Sequence, residues 1–176
     1  MPSRTRAFLN HSQPLPDTRS IPHYLQPLGY NVGLIGKTHI GPKAAYPFDY
    51  LGDVSKKADA NPAIMEKARA YIQKSVQQKK PFCLFIGSHD GHSPYTTGDP
   101  SQYDASAIET PPYWIDTPEL RKSLVGHYAE ITNLDALVGQ MRQELESRDL
   151  WENTLFIFCS EQGSSFPFAK WTCFNN

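Results

Sequence analysis

Long apolar runs are missing from this chain. No stretch approaches the ~20 residues that a membrane-spanning helix requires, and the start, Met1-Pro2-Ser3-Arg4-Thr5-Arg6, leads into no signal-peptide-like apolar segment. A surplus of one charge is missing too. Lys and Arg total 17 against 18 Asp and Glu, for a net charge of −1. That balance removes the bulk electrostatic case for nucleic acid or an anionic membrane surface. Cysteine is scarce: Cys83, Cys159 and Cys173 are an odd set without a Cys-x-x-Cys pair, so no disulfide framework is implied. Cys83 and Cys159 fall in apolar strand-like runs, where a buried free thiol is expected. No internal sequence repeat is found. What is present is a globular composition, in a length that suits one domain with a real core.

The pattern that does recur is helix, then strand, then a chemistry-bearing end. A short helix around Ile21 to Leu28, with an end blurred by Pro27, precedes a strand over Asn31 to Gly36. A second helix runs from Asn61-Pro62 to about Gln78. Asn61 is suited to cap it, Pro62 to its first position, and Ile64, Ala68, Ile72 and Val76 form its apolar stripe. The strand Phe82 to Ile86 follows. A long helix from Thr117 to about Arg148 carries Leu120, Leu124, Tyr128, Ile131, Leu134, Val138, Met141 and Leu145, which read as core packing. A third strand, Thr154 to Cys159, comes after it. The second and third strands are apolar without alternation, the mark of strands buried on both faces of a parallel sheet. The expected fold class is α/β, with a largely parallel sheet sandwiched by helices.

Ligands of such sheets bind beyond the carboxyl ends of the strands. The first strand runs into Gly36-Lys37-Thr38-His39-Ile40-Gly41. In an extended segment residues two apart share a face, so an ammonium and an imidazole are aimed at one point. The flanking glycines let other backbone or a ligand approach. A solvated loop is the plainer alternative. A P-loop is not: its pattern needs glycine at position 31, which is Asn31. The second strand runs into Ser88-His89-Asp90-Gly91-His92-Ser93-Pro94, where a local zinc site is not favoured because no cysteine pair joins the histidines. The third runs into Ser160-Glu161-Gln162-Gly163, with Lys170 close behind. Glu161 and Gln162 offer hard oxygen ligands of the kind calcium or magnesium accepts, and on spacing alone a polar turn without metal is the commoner reading.

Together these segments resemble the sulfatases of the alkaline-phosphatase-like superfamily, nearly end to end. Leu28 to Gly41 is similar to the family's GY…GK-x-H-x-G segment. Pro81 to Pro94 is similar to its PFFLF…H-D-P-H-x-P segment. Tyr128 to Gly163 is similar to the helix and strand that lead to its S-D-N-G metal turn. The S-E-Q-G version resembles bacterial heparan N-sulfatase-like and arylsulfatase-like members. The resemblance implies that Lys37 and His39 contact the sulfate and the leaving-group oxygen. It gives His92 and Lys170 further sulfate contacts, and Glu161 and Gln162 the place of an Asp-Asn pair that binds calcium. The physics is consistent with those roles, because cleavage of a sulfate ester builds negative charge that fixed cations and a metal stabilise. A histidine can also protonate the leaving oxygen.

The family's nucleophile is a formylglycine made from the cysteine of C-x-P-S-R. Met1-Pro2-Ser3-Arg4 matches the last four positions, so the resemblance puts that cysteine just ahead of Met1 and gives Arg4 the role of steadying the formylglycine. The acidic pair that completes the metal shell and the smaller C-terminal subdomain have no counterpart in the sequence. Cys83, Cys159 and Cys173 are misplaced to substitute. The expectation is a partial sulfatase catalytic domain over residues 1–176, a fragment or mis-started reading frame, inactive alone. The implied partner is a sulfated small molecule or glycan. Family habit places the full-length protein in the periplasm or outside the cell. Two alternatives stay open: a phosphatase or phosphodiesterase of the same superfamily, and a noncatalytic anion-binding pseudo-enzyme.

Overall fold

A computed structural model describes residues 2–8, 12–54, 60–160 and 163–170. By its contacts the chain divides into two compact units, residues 1–88 and 89–176, each described by itself below.

The first unit is built on a parallel sheet. Strand β1 (Asn31–Gly36) lies at its centre, between β2 (Asp49–Tyr50) and β3 (Phe82–Gly87). The register aligns Asn31 with Phe82 and Gly36 with Gly87, so β1 and β3 end together. Helices α2 (Ile21–Leu25) and α3 (Asn61–Gln77) pack against this sheet. Pro27 converts the end of α2 into a 3-10 turn over Gln26–Leu28, closed by Gly29 at φ +89°. Gly33 has no side chain because the Tyr71 ring from α3 already fills that space, 2.8 Å from where a Cβ would stand. The Tyr71 hydroxyl donates to Asp49 at 2.9 Å and ties α3 to β2. Burial and that bond push the Tyr71 phenol well above its ordinary pKa. Asn31, the residue that breaks the P-loop pattern, has a structural task. Its amide donates to Ser75 and to Gln78, each at 3.0 Å, pinning the start of β1 to the end of α3.

The second unit is organised by α4 (Pro118–Glu146). Thr117 caps it, accepting from the Leu120 N–H at 3.1 Å. Ile108, Leu124 and Phe166 form a small core, with Tyr95, Trp114, Leu120 and Val125 around it. Arg121 holds the preceding segment on the helix. It pairs with Asp116 at 2.6 Å and donates to the carbonyls of Ala105 and Ile108.

The α/β class with a parallel sheet and packed helices is what forms, but several expectations need correction. The third strand is absent: residues 154–160 form no strand, and Leu155 is 86% and Ile157 72% exposed. A strand exists only by pairing, and among the described residues none pairs with it. Asp49–Tyr50, too short for a pattern, makes the third strand instead. The strand buried along its length is β1; β3 lies at the edge of this sheet and is only half-buried. Cys159 is accordingly exposed rather than buried, whereas Cys83 is half-covered and its thiol pKa is pushed up by that burial. Asn61 does not cap α3. It is the first helical residue, behind Ala60, and is itself buried. The α3 stripe rotates toward Met65, Tyr71 and Ser75, which leaves Val76 half-exposed. On α4 the sheltered residues are Leu124, Ala129, Glu130, Leu137, Met141 and Leu145, while Tyr128 and Ile131 face outward.

Candidate functional site

The end of β1 is a backbone construction. Gly36 has φ +83°, and a Cβ there would stand 2.1 Å from the Gly87 carbonyl oxygen. Only glycine allows both the turn and the approach. At Gly87 the opposite holds: a Cβ would meet the Lys37 carbonyl at 2.7 Å. The Lys37 N–H donates to Gly87 at 2.8 Å and locks the crossing. The paired strand therefore ends at Gly36, and Lys37 is the first residue beyond it. Lys37 is half-buried and His39 exposed. Both nonetheless leave the sheet at the carboxyl end of its central strand, where α/β folds present their ligand groups. The N-terminal segment lies against this loop. The Gln13 amide packs 3.0 Å from the Cβ position of Gly41, and Leu15 donates to the Thr5 carbonyl at 3.1 Å. Arg4 is exposed on α1 (Pro2–Thr5), the four-residue helix that ends at Thr5.

The His92 segment, in the second unit, is built differently. The turn donates from His92 N–H to the His89 carbonyl at 3.1 Å, with the two rings 5.7 Å apart. Nδ1 of His92 lies 2.6 Å from the Ser93 carbonyl oxygen. A carbonyl only accepts, so Nδ1 carries a proton and Nε2 is left for a ligand. Asp90 accepts from the Thr97 hydroxyl at 2.7 Å and from Asn133 at 3.1 Å. Glu130, buried on α4, accepts the backbone N–H groups of Gly91, Thr96 and Thr97 at 2.9, 2.7 and 3.2 Å. His127, one turn before Glu130, packs on Tyr95 and Phe166, and burial lowers its pKa. An open cleft beside this loop is lined by Ser93, Tyr95, Ser123, Ser165 and Phe166 among others.

Lys170 is half-buried in the second unit, its N–H donating to the Ser164 carbonyl at 3.2 Å. Glu161 and Gln162 lie outside the described residues, as does Cys173. Among the described residues no group of three His, Cys, Asp or Glu could hold a metal. Sequence reasoning missed Gln13, Glu130 and Asn133. A glutamate inside an amphipathic helix ordinarily reads as solvated. No signal in the neighbouring sequence marks Glu130, because the shelter comes from the loop over residues 91–97.

With this geometry in view, the comparisons with known proteins are specific. The family model described as Sulfatase matches residues 2–170, and the chain belongs to the sulfatase family. It is 29% identical to N-sulphoglucosamine sulphohydrolase from Homo sapiens, over 92% of this chain and 38% of that protein. It is 29% identical to an ulvan-active sulfatase from Formosa agariphila, over 96% of this chain and 34% of that protein. It is 22% identical to a choline-sulfatase from Rhizobium meliloti, over 93% and 46%. The chain thus spans from about a third to just under half of the length of these curated relatives. Among solved structures, the lipoteichoic acid synthase LtaP from Listeria monocytogenes superposes with a TM-score of 0.48 at 18% identity, over 82% of this chain and 37% of that one. No helix among the described residues is long and apolar enough to cross a membrane.

Proposed function

We propose that residues 1–176 supply the anion-binding part of a sulfatase site, one whose substrates are sulfuric esters or sulfamates of a small molecule or glycan. The observation that carries the reading is the end of β1. A family-matched Lys37 and His39 leave the sheet where two glycines lock the backbone, so the main chain that carries the cation is fixed. Preorganised charge of this kind is what a sulfuryl-transfer transition state requires. His92 adds a directional donor. Both the Ser93 carbonyl and a sulfate oxygen can only accept, so His92 binds sulfate through Nε2 as the imidazolium. The family resemblance alone gives Lys170, in the second unit, the role of a further sulfate contact and Arg4, in the first, that of steadying the nucleophile. The open cleft, with the Tyr95 and Phe166 rings and three serine hydroxyls, suits a hydroxylated ring as the group that carries the sulfate. That the named relatives act on N-sulphoglucosamine, ulvan and choline sulfate supports the substrate class and selects none of them.

Glu161 and Gln162 are the proposed metal ligands. Their hard oxygens fit calcium by donor type, but two side chains fall short of the roughly six to eight oxygens it takes. Water, substrate or other residues have to complete the shell. A metal held by Glu161 and Gln162 would supply neutralisation of sulfate charge; binding and proton donation are proposed for Lys37, His39, His92 and Lys170. No cysteine among residues 1–176 lies in a C-x-P-S-R setting, and residues 1–176 alone are proposed to bind sulfate without turnover. The test is titration of inorganic sulfate into the 176-residue chain, followed by NMR. Lys37→Ala and His92→Ala are each expected to weaken binding about tenfold, or about 1.4 kcal/mol. A wild-type chain whose Lys37, His39 and His92 signals ignore sulfate would sink the reading. Measurable hydrolysis of an aryl sulfate by this chain would overturn the claim of inactivity.

A further inference from the structure

We propose that Glu130 is a positioning residue that fixes the loop carrying His92 and thereby decides which nitrogen His92 presents to sulfate. The proposal rests on the sulfate-binding reading for what His92 does, and on the loop geometry alone for what Glu130 does.

A carboxylate is costly to bury unless its oxygens are fully engaged. Glu130 is 2% exposed, and its oxygens are engaged by backbone donors of a single loop. Oε2 takes Gly91 N–H; Oε1 takes Thr96 and Thr97 N–H. Those donors bracket His92, Ser93, Pro94 and Tyr95. The buried charge thus clamps both ends of the short stretch that holds the imidazole and the Ser93 carbonyl it donates to. Three donors shared over two oxygens is a task a carboxylate performs and a carboxamide does not, because an amide turns an NH2 toward one of them. Asn133, three residues on along the same helix face, adds a second pin through Asp90 at 3.1 Å. Gly91 and Gly98 close the loop at φ +84° and +74°. At Gly98 a Cβ would stand 2.2 Å from the Ala129 carbonyl, so the loop sits flush on the helix turn that bears Glu130. Packing explains why the loop lies on α4. It does not explain a buried charge whose hydrogen-bond donors, among the described residues, all flank one histidine.

The experiment uses the 176-residue chain and Glu130→Gln. Amide hydrogen exchange and the His92 imidazole nitrogens are followed by NMR, with and without inorganic sulfate. Exchange at Gly91, Thr96 and Thr97 is expected to accelerate tenfold or more, while the Leu137 to Leu145 half of α4 keeps its wild-type rates. His92 is expected to lose the Nδ1-protonated signature, and sulfate affinity at His92 to fall about tenfold. Unchanged His92 nitrogens in a folded variant would overturn the proposal. So would acceleration spread evenly over α4, which would make Glu130 a fold residue only. If Glu130→Gln does not fold, Glu130→Asp, whose carboxylate is one methylene short of the loop donors, carries the same readouts, and unchanged His92 nitrogens there overturn the proposal. A wild-type chain without any sulfate response at His92 sinks the sulfate reading, while the exchange and imidazole results still decide the role of Glu130.

Discussion

The Lys37 loop and the His92 loop reach comparable chemistry by opposite means. At Lys37 the backbone does the holding: two paired strands, two glycines and one N–H donated across at 2.8 Å. At His92 side chains from a helix do it: Glu130 and Asn133 grip a segment that has no regular structure. A strand end inherits its rigidity from the sheet and needs no dedicated residue. A loop has to be given rigidity by groups chosen for the purpose, and a buried carboxylate is a strong choice because charge-assisted hydrogen bonds are short and directional. The difference predicts where each site is fragile.

Adding one methyl group probes it most sharply. Gly36→Ala sets a Cβ 2.1 Å from a carbonyl locked in a paired strand, at φ +83°. Neither side can retreat without breaking the β1–β3 ladder, so a loss of roughly 4 kcal/mol is expected. Gly98→Ala makes nearly the same collision, 2.2 Å from the Ala129 carbonyl. There a loop can shift, and roughly half that loss is expected. Urea unfolding of both variants checks the ratio. Equal losses would mean that the His92 loop is as rigid as the sheet and would break the comparison. Glu130→Ala comes next, at about 2–3 kcal/mol, because three loop N–H groups lose their partner and some find water. The accompanying loss of exchange protection should stay within residues 90–98. A loss extending into residues 105–116 would show that Arg121 does not hold that segment independently.

The same contrast explains what could be read in the sequence. The β1 end was legible because strand propensity, the glycines and the Lys-x-His spacing are all local. Even there, the turn at Gly36 that ends the strand depends on Gly87, some fifty residues away. The His92 loop announced its histidines but not its clamp. Glu130 lies 39 residues beyond Gly91, and nothing near it in sequence marks it as buried. Helix α4 was found from its periodicity, with Thr117-Pro118 at its start. Its buried face was read a little off, because Ala129 and Glu130 are sheltered by a loop and not by an apolar partner. Strand burial was misassigned for a related reason. Apolar content says that a segment can be buried, and the neighbours decide whether it is.

His127 gives a smaller, pH-dependent test of the second unit. Burial lowers its folded pKa, a shift opposed by the nearby Glu130 charge. The unfolded chain therefore takes up a proton, below the ordinary histidine value near 6.5, that the folded chain refuses. Stability should fall as pH drops from about 6.5 toward the lowered folded value and then level off. His127→Gln removes that contribution and should flatten the profile in this window. Glu130→Gln should deepen it, because the opposing charge is gone. A His127→Gln profile that keeps the full acid-side loss would assign the effect to other groups.

The smallest effect is expected where the sequence promised a buried strand. Val32 and Ile35 in β1 are fully buried, whereas Leu155 and Ile157 lie in a run at least as apolar and are 86% and 72% exposed. Leu155→Ser thus removes a side chain with little burial to lose, and a stability change within about 0.5 kcal/mol is expected. Val32→Ser, which puts a hydroxyl into the buried strand and removes a methyl, should cost about 2–3 kcal/mol by the same unfolding measurement. Exposed apolar runs with free backbone donors also invite pairing between chains. Leu155→Ser should therefore lower concentration-dependent association in sedimentation while leaving unfolding unchanged. A Leu155→Ser loss above about 1 kcal/mol would mean that residues 154–159 are packed in the folded chain. The apolar pattern would then have been the better guide to the fold, and the second unit would hold its site on a strand as the first does.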